Sequence, residues 1–164
     1  MRIHPLSEGS FSIDQTKVFV PFDTQTEQIQ DRPKGSILVE IQPFVVITEK
    51  DIILLDTGLG YMNAKGVLQI HENLMAIGIN PSSVTKVFMS HLHKDHAGGM
   101  SYVDMVSKER YVSFPYATYY VQKREFDLAL TNSTASYIKE QFEFLANFSK
   151  VVWLDDDQGI IDDS

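Results

Sequence analysis

The chain has no cysteine among its 164 residues, which excludes disulfides and thiolate metal ligands together. Basic residues are few beside acidic ones, 14 Lys and Arg against 22 Asp and Glu, and the net charge is −8. That balance opposes phosphate backbones and anionic membranes, so neither nucleic acid nor a membrane is expected as a partner. No apolar run approaches the roughly 18 residues of a membrane span, and "MRIHPLSEGSFSID" lacks the apolar stretch of a signal peptide. A cytoplasmic protein is the expectation. Histidine is also rare: there are five, and none follows His96. Five acids (Asp155, Asp156, Asp157, Asp162 and Asp163) crowd the last ten residues and read as a solvated acidic turn.

The residues present suggest one domain or part of a larger one, with no repeat, linker or low-complexity tract. Residues 17–22, 36–42, 43–49 and 51–56 are short, β-branched and bounded by turn residues, and so read as strands. Ile52–Leu55 lacks alternation, which suits a central strand covered on both faces. Over residues 64–78 the period changes: Val67, Ile70, Leu74 and Ile77 fall three or four apart, and Gly78 reads as a C-cap. "TKVFMS" (85–90) then returns as a buried strand. This order predicts a right-handed parallel crossover that delivers the next loop to a strand's C-terminal end. Downstream, 111–114, 117–122 and 150–155 read as strands, 123–130 as a short helix and 134–148 as a longer one.

That next loop is "SHLHKDHAGG", residues 90–99, with His91, His93, Asp95 and His96 inside six positions. From this chain's own composition, such a pattern arises by chance about four times in ten thousand chains of this length. Histidines kept for packing occur singly, so a cluster points to metal, for which neutral imidazole is a common ligand. His91 and His93, two apart in extended chain, can share one ion, while Asp95 and His96 follow on a turn and can face a second. Ala97, Gly98 and Gly99 are small enough to let backbone and substrate approach. A serine nucleophile at Ser90 would leave three histidines unexplained.

This motif resembles the HxHxDH signature of the metallo-β-lactamase superfamily, and Asp56 in "LLDTGLG" resembles that superfamily's earlier aspartate motif. The similarity covers roughly residues 35–130, and "AIGINPSSVTKVFMSHLHKDHAGG" is most similar to the lactonase- and esterase-like branch. The resemblance implies an α/β fold, the N-terminal αβ half of an αββα sandwich, with a mixed sheet and flanking helices. It also implies two zinc ions, with iron or manganese as alternatives, and hydrolysis of a small ester, lactone or thioester. His91 and His93 match the first metal site, Asp95 and His96 the second. Asp56 matches a residue that hydrogen-bonds and orients the ligand loop. Metal acidifies bound water to a hydroxide that attacks a carbonyl, with Asp95 orienting that water and passing a proton to the leaving group.

Members of the family complete the site with two further histidines and a bridging aspartate in a second αβ half. Here no histidine follows His96, and Asp162 or Asp163 reads as a turn residue rather than a stand-in ligand. Residues 1–164 are therefore expected to be one partial domain continuing beyond Ser164, with an uncovered sheet edge and face that favour self-association. The competing readings are a partner-completed or non-catalytic module with a vestigial site, a nuclease of the superfamily, and a flavodiiron-like redox protein. Tyr61, Met62 and Met100 flank the motif loops as pocket candidates. Lys94 reads as a solvent-facing charge or one set just behind the ligands, and His4 and His71 as surface or packing residues.

Overall fold

In the computed structural model, which describes residues 1–155, the N-terminal strands are β1 (Arg2–Pro5), β2 (Gly9–Ile13), β3 (Phe19–Pro21), β4 (Ile37–Ile41), β5 (Phe44–Ile47) and β6 (Ile52–Leu55). Helix α1 (Gln69–Ala76), strand β7 (Lys86–Phe88) and the single turn α2 (Lys94–Ala97) follow. Strands β8 (Ser101–Val103), β9 (Arg110–Val112) and β10 (Thr118–Gln122), helix α3 (Lys123–Thr131) and strand β11 (Val151–Leu154) complete it.

The main sheet is mixed, in the order β1-β5-β6-β7-β10-β11. β5 and β6 form an antiparallel hairpin, closed by the Thr48 hydroxyl oxygen, which accepts from the Lys50 and Asp51 amides. β6, β7, β10 and β11 run parallel, and the β6–α1–β7 connection is the expected parallel crossover. A second sheet, β3-β2-β4, was not foreseen; β1 and β2 carry too few β-branched residues to stand out.

Register places Val45, Leu54, Val87 and Tyr119 in one row, all fully buried against α1 and the segments that follow α3. The row pointing the other way, Phe44, Leu55, Phe88, Tyr120 and Val152, is part-exposed, Phe44 to 39%. Within β6 itself the two central residues face opposite ways, and both are buried, as the unalternating run predicts.

Two helix expectations change. α1 starts five residues later than the periodicity suggests, because residues 62–68 form a tight reversal. The Asn63 side chain accepts from the Lys65 and Val67 amides, Gly66 takes φ +76°, and Met62 bridges Leu68. Its C-terminal end is as read: Gly78 adopts φ +80°, and the amides of Gly78 and Ile79 cap Met75 and Leu74. Residues 134–148, expected as one helix, make two 3₁₀ turns, Lys139–Gln141 and Glu143–Ala146. Tertiary contacts capture that segment: the Ser101 hydroxyl donates to the Glu140 and Gln141 carbonyls, and Phe142 and Leu145 plug the core. The expected strand 111–114 forms as β9, shifted by one residue and shortened.

Candidate metal centre

β6 and β7 lie side by side and parallel, so both motif loops leave the same edge of the sheet. Asp56 follows β6 directly with φ 59°, a left-handed conformation that aspartate tolerates better than most residues. In that conformation its carboxylate faces the β7 loop. Oδ1 accepts from the Ser90 amide at 2.8 Å; Oδ2 accepts from the Ser90 hydroxyl at 2.7 Å and from His96 Nδ1 at 2.8 Å.

These bonds fix tautomers. A carboxylate oxygen accepts here, so His96 donates from Nδ1, and its Nε2 lies 3.6 Å from Asp95 Oδ2. With its proton given to Asp56, the Ser90 oxygen accepts from His91 Nδ1 at 3.1 Å, which likewise frees His91 Nε2. The His91 ring lies 4.5 Å from that of His93 and 4.0 Å from that of His96, centroid to centroid. Burial, with the neighbouring His96 and His93, pushes His91 below the usual imidazole range. At His96 burial acts the same way, but the Asp56 hydrogen bond and charge, with Asp95, outweigh it and hold that imidazole above the usual range.

The two loops are joined through backbone. The Thr57 amide and hydroxyl both donate to the His96 carbonyl, at 2.7 and 2.8 Å. A Cβ at Gly98 would meet the Leu59 carbonyl oxygen at 2.2 Å, and one at Gly99 would meet that of Thr57 at 2.2 Å. The small residues after the motif are buried and serve this loop-on-loop contact rather than a substrate surface.

Nitrogen and carboxylate donors of this kind suit zinc, iron or manganese. The fit is to part of a centre: among the described residues, no three His, Asp or Glu side chains are grouped so as to hold an ion. Asp156, Asp157, Asp162 and Asp163 lie outside the described residues.

Of the other candidates, Met100 is fully buried and belongs to the core, as does the partly buried Met62. Tyr61 lines an apolar cleft of about 240 Å³ with Phe19, Leu59 and Ile138, and Lys94 stands at its edge, 5.8 Å over the Phe19 ring. His71 is packing: its ring sits edge-on to Phe114 and Tyr102, with Nε2 3.2 Å from the Ser113 carbonyl oxygen. His4 sits in the edge strand β1, opposite Val45.

Sequence reasoning passed over three bracing residues. Glu125, in the first turn of α3, accepts from the Leu92 amide at 3.0 Å and from the Tyr137 hydroxyl at 3.2 Å. Tyr137 stacks edge-on against the His93 ring at 4.7 Å. An acid in the first helical turn after a parallel strand's C-terminal end was the available signal for Glu125. Tyr137 sits in the segment misread as helix. The third, Glu8, is buried at 4% exposure, and its Oε2 accepts from the Leu59 amide at 2.7 Å.

Over 71 residues, 42% of the chain, it is 37% identical to the N-acyl homoserine lactonase AttM of Azorhizobium caulinodans, covering 23% of that relative. It is 32% identical over 75 residues to the AttM of Agrobacterium fabrum. AidC, a dizinc quorum-quenching lactonase, superposes with a TM-score of 0.67 at 21% identity, covering 96% of this chain and 59% of AidC. A probable metal-dependent hydrolase from Staphylococcus aureus superposes with a TM-score of 0.71 at 20% identity, covering 98% of this chain and 61% of that one. The chain thus spans less than two thirds of these relatives. Among the described residues, no helix is long and apolar enough to cross a membrane. The family model of the metallo-beta-lactamase superfamily matches residues 39–162, well over half of the sequence, and the chain belongs to that superfamily.

Proposed function

We propose that this chain carries the histidine-rich half of a metal-dependent hydrolase that opens a small lactone or ester, with an N-acyl lactone as the favoured substrate class. The observation that supports the reading is the Asp56 carboxylate, which holds His96 directly and His91 through Ser90 by their Nδ1 atoms and so leaves Nε2 of each imidazole out of these bonds. His91, His93, Asp95 and His96 are the residues that would hold zinc, or iron or manganese in its place. When bound, the metal supplies Lewis acidity toward a carbonyl oxygen and toward water.

The chain's own residues do the rest. Asp56 and Ser90 orient the imidazoles, and Asp95 would take a proton and return it to the departing alkoxide, a role that its carboxylate's position beside His96 supports. The apolar cleft of Phe19, Leu59, Tyr61 and Ile138 offers an acyl chain a surface beside the loop. The name of the relatives, N-acyl homoserine lactonase, supports that substrate class. The remaining ligands would come from a second αβ half packed on the part-exposed row of Phe44, Leu55, Phe88, Tyr120 and Val152.

A second reading, a non-catalytic or partner-completed module, rests on the incomplete grouping of ligands among the described residues. Acid release from an N-acyl homoserine lactone, measured with zinc for the 164-residue chain and for the protein expressed from its full reading frame, separates the two. Zinc-dependent turnover lost in the His91→Ala/His93→Ala double variant is the expected result. A zinc-loaded full protein that leaves lactones and esters intact would favour the module.

A further inference from the structure

Glu8 lies outside every motif, between β1 and β2, yet its carboxyl is buried in the loop that carries Asp56. Oε2 accepts from the Leu59 amide, and Oε1 has no hydrogen-bond partner among the described residues. The main chain around Glu8 is fixed independently: its amide donates to the Ile41 carbonyl at 2.8 Å, and its carbonyl accepts from the Gln69 side chain at 3.3 Å. The carboxyl occupies the space over Gly58, where an added Cβ would lie 2.4 Å from the carboxyl carbon. Glu8 thus bears on a five-residue loop, 56–60, whose far side is tied by Thr57 to the His96 carbonyl and whose first residue holds the His96 ring.

We propose that Glu8 is a positioning residue for the histidine loop: its carboxyl holds residues 58 and 59 in place, and so sets where the Asp56 carboxylate meets His96 and Ser90. A polar group buried with only one bond is costly unless it holds something in return. Burial raises this carboxyl to about 7, so it exchanges between a charged and a neutral acceptor of the same amide in the neutral range. Either form accepts from Leu59. An aliphatic side chain of similar size does not, and it leaves that amide unpaired.

The role toward metal rests on reading the histidines as ligands, and the test therefore includes a metal-free observable. Glu8→Gln and Glu8→Leu are compared with the parent chain by the nitrogen and proton resonances of the His96 ring, recorded without metal, and by zinc titration. Glu8→Gln keeps the acceptor and should leave both readouts near those of the parent. Glu8→Leu should shift the His96 Nδ1–H resonance, speed its solvent exchange and weaken zinc by about tenfold, the range for residues that orient ligands. If Glu8→Leu does not fold, Gly58→Ala, which crowds the same carboxyl at φ +73°, should produce the same His96 shift. A folded Glu8→Leu or Gly58→Ala variant with an unchanged His96 resonance would overturn the proposal, whatever the zinc titration shows. A shifted resonance with unchanged zinc affinity would keep the positioning role and count against the histidines as ligands.

Discussion

The two faces of the main sheet differ in how far they are finished. On one, Val45, Leu54, Val87 and Tyr119 form a continuous, fully buried row under α1 and the 3₁₀ turns. On the other, Phe44, Leu55, Phe88, Tyr120 and Val152 lie in the same register and are equally apolar, but part-exposed. The site sits where the parallel strands β6 and β7 end, next to the part-exposed row; farther from that end Val46 and Ile53, on the same face, are buried. Its hydrogen bonds gather on the side toward Asp56, whose carboxylate meets the Ser90 amide, the Ser90 hydroxyl and His96 Nδ1. A sandwich whose halves meet over such a face would close the core and the site together.

The largest expected effect tests the two faces directly. Leu54→Ala removes a fully buried side chain and should cost about 2–5 kcal/mol in urea unfolding. Phe88→Ala, from the part-exposed row, should cost less, about 2 kcal/mol, because part of its surface already touches water in the fold. Equal costs would mean that the second face is already as well packed as the first.

A smaller effect concerns Glu8. Its carboxyl is raised in the fold from 4.5 to about 7, so folding favours the protonated form. The stability tied to that group is fully present below about pH 4.5 and is lost as pH rises through about 7, by at most about 3 kcal/mol. Tyr61 faces the same carboxyl, and burial together with Glu8 holds its phenol above the usual range, so it does not titrate within this window. Urea midpoints at pH 5 and pH 8 should therefore separate more in the parent than in Glu8→Gln, whose amide does not titrate. An identical pH dependence in the two would remove Glu8 from the account.

Much of this was legible in the residues. The unalternating run at Ile52–Leu55, the helical spacing of Ile70 and Leu74, and Gly78 together define a βαβ crossover, and they place the histidines at its open end. The ligand-type residues and Asp56 are visible because their chemistry admits few substitutes. Glu125 and Tyr137 were not, since each acts across the fold on a loop more than 30 residues from Glu125 or on the ring of His93. The 134–148 segment misled because its apolar spacing matches a helix, whereas the Ser101 hydroxyl and the core pockets for Phe142 and Leu145 decide its path.

The central claim is that Asp56 prepares the histidine loop for metal, and zinc titration of the parent chain beside Asp56→Ala and His91→Ala/His93→Ala tests it most directly. The parent should bind zinc weakly and yield it to a chelator, as expected of an open and partial ligand set. Asp56→Ala should bind about 10–100-fold more weakly while remaining folded, and the double histidine variant should not bind measurably. Zinc affinity unchanged by Asp56→Ala, or retained without His91 and His93, would contradict the account.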